Sequence, residues 1–117
     1  MITGMHSIIY ASDADAARAF FRDVLDLPNV DAGDGWLIFK QPPSELAVHP
    51  EPDPTGKHEL YLMCDDIART MAELAAKGVV FSSPVTQAGW GLLTLIRIPG
   101  GGEIGLYQPR HRTAYDL

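Results

Sequence analysis

Two polar side chains stand at matching places in this sequence. His6 precedes Asp13 by seven residues, and Glu59 precedes Asp66 by seven. Each opens a short apolar run that ends at an acidic corner, HSIIYASD from His6 and ELYLMCDD from Glu59. Side chains alternate across the two faces of a strand, so His6 shares a side with Ile8 and Tyr10, and Glu59 shares one with Tyr61 and Met63. An imidazole and a carboxylate are side chains that ligate metals and move protons. Alone they hold a first-row metal weakly, because catalytic zinc and non-haem iron sites use three protein ligands. Glu59 in a mostly apolar setting would have its pKa raised and could act as a general base. A slip of one residue in register would present His58 in its place.

Other side chains suit a small-molecule wall. Trp36, Trp90 and Tyr107 are the aromatics expected at a cavity rim, although Trp90 between two glycines also reads as a turn residue. Arg97 could lie over such rings or meet an anion, or simply be solvated at a strand edge. Cys64 falls on the opposite strand face and is expected to be buried and inert. Gly100-Gly101-Gly102 joins two strands rather than opening a helix, so it reads as a hairpin turn and not as a phosphate loop.

The elements that carry these residues follow from hydrophobic period and punctuation. Residues 2–11 read as a strand and 13–25 as a helix. In that helix Ala17, Phe20, Phe21, Val24 and Leu25 form one apolar stripe, and Asp26 provides a left-handed stop. Ser12 and Asp15 fit a Ser-x-x-acid cap. A turn at 31–35 separates two short strands, the second at 36–40, and a fourth strand covers 45–49. The prolines at 50, 52 and 54 mark a stiff linker. The order then recurs. A strand runs from Glu59, and Asp65 and Asp66 cap a helix carrying Ile67, Met71, Leu74 and Ala75. Gly78 stops that helix, and strands follow at 80–88, 91–98 and 103–107. A repeat at this period means two copies of one supersecondary unit, β-α-β-β-β. The expected domain is single (1–117), with module one at 1–49, linker 50–57, module two at 58–109 and a loose tail at 110–117.

Bulk properties bound the function. The chain has 117 residues, 46% hydrophobic and 21% charged, enough for one domain with a real core. Its net charge of −6 and pI near 5.0 argue against nucleic acid and anionic membranes as partners. No apolar run approaches the roughly 20 residues of a membrane span, and the N-terminus lacks the basic region of a signal peptide. One cysteine allows no internal disulfide, and a cytoplasmic location is expected.

The stretches His6-S-I-I-Y-A-S-Asp13, FFRDVLDLP, CDDI (64–67) and IPGGGEIGLYQP resemble the glyoxalase / bleomycin-resistance / extradiol-dioxygenase superfamily, also called vicinal oxygen chelate proteins. The resemblance runs from Met5 to Pro109. It implies an α+β fold of two βαβββ modules whose sheets curl into a cup with helices outside, and usually a homodimer. It also implies metal ligands on the first and last strands of each module. Those positions fall on His6, Ala47, Glu59 and Gly105, and two of the four have no donor. The expected function is therefore binding of an apolar or aromatic small molecule without a complete metal site or cofactor. The cavity is expected to be lined by Ile8, Tyr10, Trp36, His49, Tyr61, Met63, Trp90, Arg97 and Tyr107. One alternative is a divalent-metal-dependent lyase, isomerase or dioxygenase using His6 and Glu59. Another is a drug-sequestering resistance protein, whose acidic charge would suit a cationic antibiotic. Whether the chain catalyses anything stays open.

Overall fold

A computed structural model describes residues 6–48 and 58–117. The expected linker 50–57 and His49 lie outside the described residues. The fold is mixed α+β with two sheets. In chain order the elements are α1 (Ala14–Ala19), a π-helical turn (Phe20–Val24), β1 (Asn29–Asp31), β2 (Leu37–Phe39), β3 (Tyr61–Met63), α2 (Ile67–Ala76), β4 (Thr86–Ala88), β5 (Gly91–Arg97), β6 (Glu103–Pro109) and a short 3-10 turn (Ala114–Asp116).

The second half is a full βαβββ unit. Its four strands lie in the order β3-β6-β5-β4, with β3 parallel to β6 and the other pairs antiparallel. The strand expected over 80–88 narrows to β4, with Phe81 adding one bridge to Ile96. The last strand runs two residues past its expected end, to Pro109. Asp66 caps α2 by accepting from the Arg69 N–H at 3.1 Å, and the Gln108 side chain of β6 accepts from the Ile67 N–H at 2.9 Å. Together these occupy two of the donors a helix start leaves orphaned. Gly78, at φ +87°, ends the helix as its position predicts.

The core lies between that sheet and both helices. Ile96, Ile98, Ile104 and Leu106 are buried on the sheet side, with Ile67 and Leu74 from α2 against them. Ala17 of α1 and Phe20 of the π turn complete the same cluster. Thus the first module's helix packs on the second module's core. Burying side chains of this size stabilises by about 1.5–3 kcal/mol each. Thr94, 1% exposed among them, donates its hydroxyl to the Ser83 carbonyl at 2.7 Å, so this buried hydroxyl has a partner.

The continuous helix expected over 13–25 changes register. Leu25 donates to the Phe20 carbonyl five residues back, at 3.2 Å. The wider turn falls where two adjacent phenylalanines both need apolar partners. Phe20 faces the sheet core, while Phe21 meets Phe39 of β2 at 5.8 Å between ring centroids. Asp26, at φ +58°, closes the turn as expected.

The cap of α1 also differs from expectation. Asp13, not Ser12, accepts from the Ala16 N–H at 3.0 Å. Ser12 donates its hydroxyl to the Gly100 carbonyl at 2.7 Å, and the Asp13 N–H donates to the same oxygen at 2.9 Å. A Cβ on Gly100 would lie 2.2 Å from the Asp13 carbonyl oxygen. The glycine turn at 100–102 is therefore a hairpin, as its sequence suggests, and also the seat on which the first module's corner docks.

The first half differs most. Its helix and the β1–β2 hairpin form, with Val30 opposite Ile38. Segments 6–11 and 45–48, expected as strands, carry no regular secondary structure. A strand persists only where its backbone groups find a ladder, and among the described residues these two segments have none. The tail, expected to be loose, is instead tied down. Glu45 accepts from the Ala114 N–H at 2.8 Å, and its other oxygen is 3.7 Å from His111 Nε2. Among the described residues no helix is long and apolar enough to cross a membrane.

Candidate functional site

The face of the second sheet turned away from α2 carries the polar and aromatic side chains. The register places Tyr61 beside Gly105, Met63 beside Tyr107, Leu93 beside Tyr107 and Arg97 beside Glu103. Residues directly opposite share a face, so Tyr61, Met63, Leu93, Leu95, Arg97, Glu103, Gly105 and Tyr107 form one surface.

Two glycines shape it. A Cβ on Gly105 would lie 2.1 Å from Tyr61 Cδ1, and one on Gly91 would lie 2.2 Å from Tyr107 Cε2. Each tyrosine ring thus lies on bare backbone where a glycine leaves room. The two rings sit 6.0 Å apart, edge to face, and Trp90 meets Tyr107 edge to face at 5.3 Å. Hydrogen bonds lock this cluster. Tyr107 donates its hydroxyl to the Trp90 carbonyl at 2.7 Å, and the Arg110 N–H donates to the same oxygen at 2.9 Å. The His111 ring covers Tyr107 at 5.9 Å, and its Nδ1 lies 2.8 Å from the Arg112 carbonyl oxygen. Trp90 remains 47% exposed, an aromatic surface open to a ligand.

A cavity of about 280 Å³ adjoins the Tyr61 ring. Glu59, Tyr61, Glu103, His58 and Ile9 line it, with Gly105 at its wall. The Tyr61 hydroxyl donates to Glu59 Oε2 at 2.9 Å. Burial, reinforced by the Glu59 carboxylate, pushes the Tyr61 phenol up. Burial does the same at Tyr107, with Glu45 adding to it. Both phenols therefore stay protonated at neutral pH and act as donors. Ser82 donates its hydroxyl to Glu103. The site offers an apolar aromatic floor with carboxylate acceptors at one edge.

The sequence-derived site residues divide between this place and others. Glu59 and Tyr61 come together in the cavity, Tyr107 and Trp90 follow from Tyr61 through ring contacts, and Met63 stands beside Tyr107 in register. His6, Ile8 and Tyr10 are exposed, and Ile9, from the opposite parity, lines the cavity instead. Trp36 is 64% exposed beneath Arg18, whose guanidinium carbon is 5.1 Å from its ring. Arg97 lines a separate cavity. Cys64 is half-buried, its Sγ 3.7 Å from the Tyr107 carbonyl oxygen, and burial pushes its thiol up. Sequence reasoning offers His58 only through a slip of register, sets Glu45 and Glu103 one pleat from the ligand positions Ala47 and Gly105, and does not place His111 at the site. Glu103 was within reach of it, since the register that sets Tyr61 beside Gly105 also sets Glu59 level with Glu103.

The residues present do not fit a family-type metal ion. Ala47 and Gly105 offer no donor, and the space above Gly105 is filled by the Tyr61 ring. Among the described residues no three His, Cys, Asp or Glu side chains gather closely enough to hold one.

Comparison with known proteins places the fold. Solved structures that superpose include lactoylglutathione lyase from Agrobacterium tumefaciens, at 23% identity and TM-score 0.63, covering 91% of this chain and 92% of that one. TnmS3, an antibiotic binding protein from Streptomyces sp. CB03234, superposes at 23% identity and TM-score 0.64, covering 93% and 98%. A superfamily member from Sphaerobacter thermophilus does so at 22% and 0.64, covering 92% and 98%. A search of curated proteins returns no significant match. The sequence model of the Glyoxalase/Bleomycin resistance protein/Dioxygenase superfamily matches residues 4–106, and the chain belongs to that superfamily.

Proposed function

We propose that this protein binds a small aromatic molecule on the face of its second sheet turned away from α2, as a cytoplasmic homodimer and without a complete metal site. The observation that carries the reading is the Trp90–Tyr107–Tyr61 cluster. Three rings meet edge to face over two glycines, with the Tyr61–Glu59 pair at their margin. An aromatic surface with a few convergent polar groups suits a planar ligand bearing one polar substituent. The dimer is supported by the first module, where Tyr10, Val30, Leu46 and Val48 are each at least 65% exposed. So many large apolar side chains in one region of a small chain favour a covering partner, and symmetric closure is the usual form.

A drug-sequestering role is the second reading. It rests on the resemblance to TnmS3, which is an antibiotic binding protein, and on the net charge of −6. The test is calorimetry with a planar cation, 9-aminoacridine, a planar anion, anthraquinone-2-sulfonate, and bleomycin, repeated on Trp90→Ala. Either planar compound should bind, with affinity falling roughly tenfold, or about 1.4 kcal/mol, in the variant. Preference for the cation and for bleomycin would support sequestration. Unchanged affinity in Trp90→Ala would overturn the site. Elemental analysis after dialysis should find well under one equivalent of metal. One tightly held ion per chain would bring forward a metal-dependent lyase, isomerase or dioxygenase using His6 and Glu59.

A further inference from the structure

A second cavity, about 560 Å³, lies away from the ring cluster, between the π turn of the first module and the β5–β6 hairpin of the second. Its volume falls within the range of small-molecule pockets. Phe20, Val24 and Ile98 give it apolar walls, and Lys77 and Arg97 line it as cations. Arg97 is the informative residue. It stands directly across the ladder from Glu103, where opposite charges normally pair. Glu103 instead accepts the Ser82 hydroxyl, and Arg97 makes no ion pair among the described residues. Lys77 makes none either, although the chain holds 15 acidic residues against 9 basic ones. Two cations and one carboxylate, Glu103, thus line an apolar hollow, and neither cation pairs with that carboxylate. The second observation is the π register itself. It interrupts the helix at Phe20–Val24, the segment that supplies two of the apolar walls, and such interruptions recur at functional sites.

We infer that this cavity is a second binding site, for a small carboxylic acid with an apolar tail. The tail lies against Phe20, Val24 and Ile98, and the carboxylate meets Arg97 and Lys77. Arg97 supplies a planar fork matched to a carboxylate, and Lys77 a point charge. This site lies apart from the ring cluster, with Glu103 lining both cavities.

Sodium octanoate, 1-octanol and octylammonium have equal tails and different heads, so titrating the intact protein with each by calorimetry isolates the charge. Amide NMR shifts at Gly100, Gly101 and Gly102 locate the binding. Octanoate should bind roughly tenfold more tightly than octylammonium and shift those amides. Arg97→Gln and Lys77→Gln should each weaken octanoate roughly threefold while leaving octanol unchanged. Val24→Phe, which narrows the hollow, should weaken octanoate and octanol together. Equal binding of octylammonium, insensitivity to both cation variants, or shifts confined to Trp90 and Tyr107 would each overturn the proposal.

Discussion

The two halves of this chain share one sequence plan and reach different structures. Each has an apolar run, an acid that caps a helix seven residues on, a left-handed stop and further short strands. In the second half the plan closes: four strands pair, α2 covers them, and Ile96 and Ile98 are at most 1% exposed. In the first half only a hairpin of three-residue strands pairs. Isolated two-stranded hairpins are marginal in water, and Leu46 and Val48 stand 79% and 90% exposed. The first half's helix gives its apolar stripe to the second half's core. Patterning thus states which face a segment could bury. Ladder partners decide whether it does.

The sharpest test sets one residue from each environment against the other. Phe20, 3% exposed, belongs to the shared core, and Phe20→Ala should cost roughly 3–5 kcal/mol in urea unfolding. Leu46→Ala should cost no more than about 0.5 kcal/mol at low protein concentration, because an exposed side chain loses little. At tens of micromolar the same variant should lower the dimer fraction seen by light scattering. Equal losses in the two variants would erase the distinction between the halves.

A second comparison sets two glycines of one half side by side. Gly105→Ala would drive a methyl group into the Tyr61 ring, whereas a Cβ at Gly89 meets nothing within 4 Å. The first should cost about 1–3 kcal/mol through overpacking. The second should be neutral or slightly stabilising. Tyr61→Ala combined with Gly105→Ala should recover part of the loss, and failure to recover it would mean the ring is not what the glycine accommodates. For the same reason, a carboxylate introduced at position 105 to rebuild a metal site must displace Tyr61 first.

What the sequence made legible was local or periodic. The α2 segment, its Asp66 cap, the Gly78 stop and the glycine hairpin all follow from near neighbours. The superfamily followed from the repeat and its corners. Ser12 fits a cap as well as Asp13 does, and only the docking of that corner on Gly100, 88 positions away, decides between them. Glu45 and His111 meet because the tail folds back across the sheet, and nothing in either residue's neighbours announces it. The vacancy at Gly105 was legible as a missing donor. Its physical reason, a tyrosine ring two positions past Glu59 on the adjacent strand, required the parallel register.

The smallest expected effect concerns the site's protons and compares Tyr61 with its neighbour Tyr107. Both phenols are pushed above their ordinary value of about 10, Tyr61 by burial and then by its hydrogen bond to Glu59, and Tyr107 by burial and then by Glu45. The unfolded chain therefore loses these protons at a lower pH than the folded one. The stabilisation is fully present below about pH 10 and is lost as pH rises through the folded-state values. Stability should fall with alkalinity from about pH 10 upward, and phenolate absorbance should show two tyrosines titrating late. Tyr61→Phe should remove one late phenol and flatten the alkaline decline. Glu59→Gln should keep part of the Tyr61 delay, because the larger cause is burial and not the carboxylate. An unchanged alkaline slope in Tyr61→Phe would mean that Tyr61 is open to water, and the rings would then form no desolvated floor for a ligand.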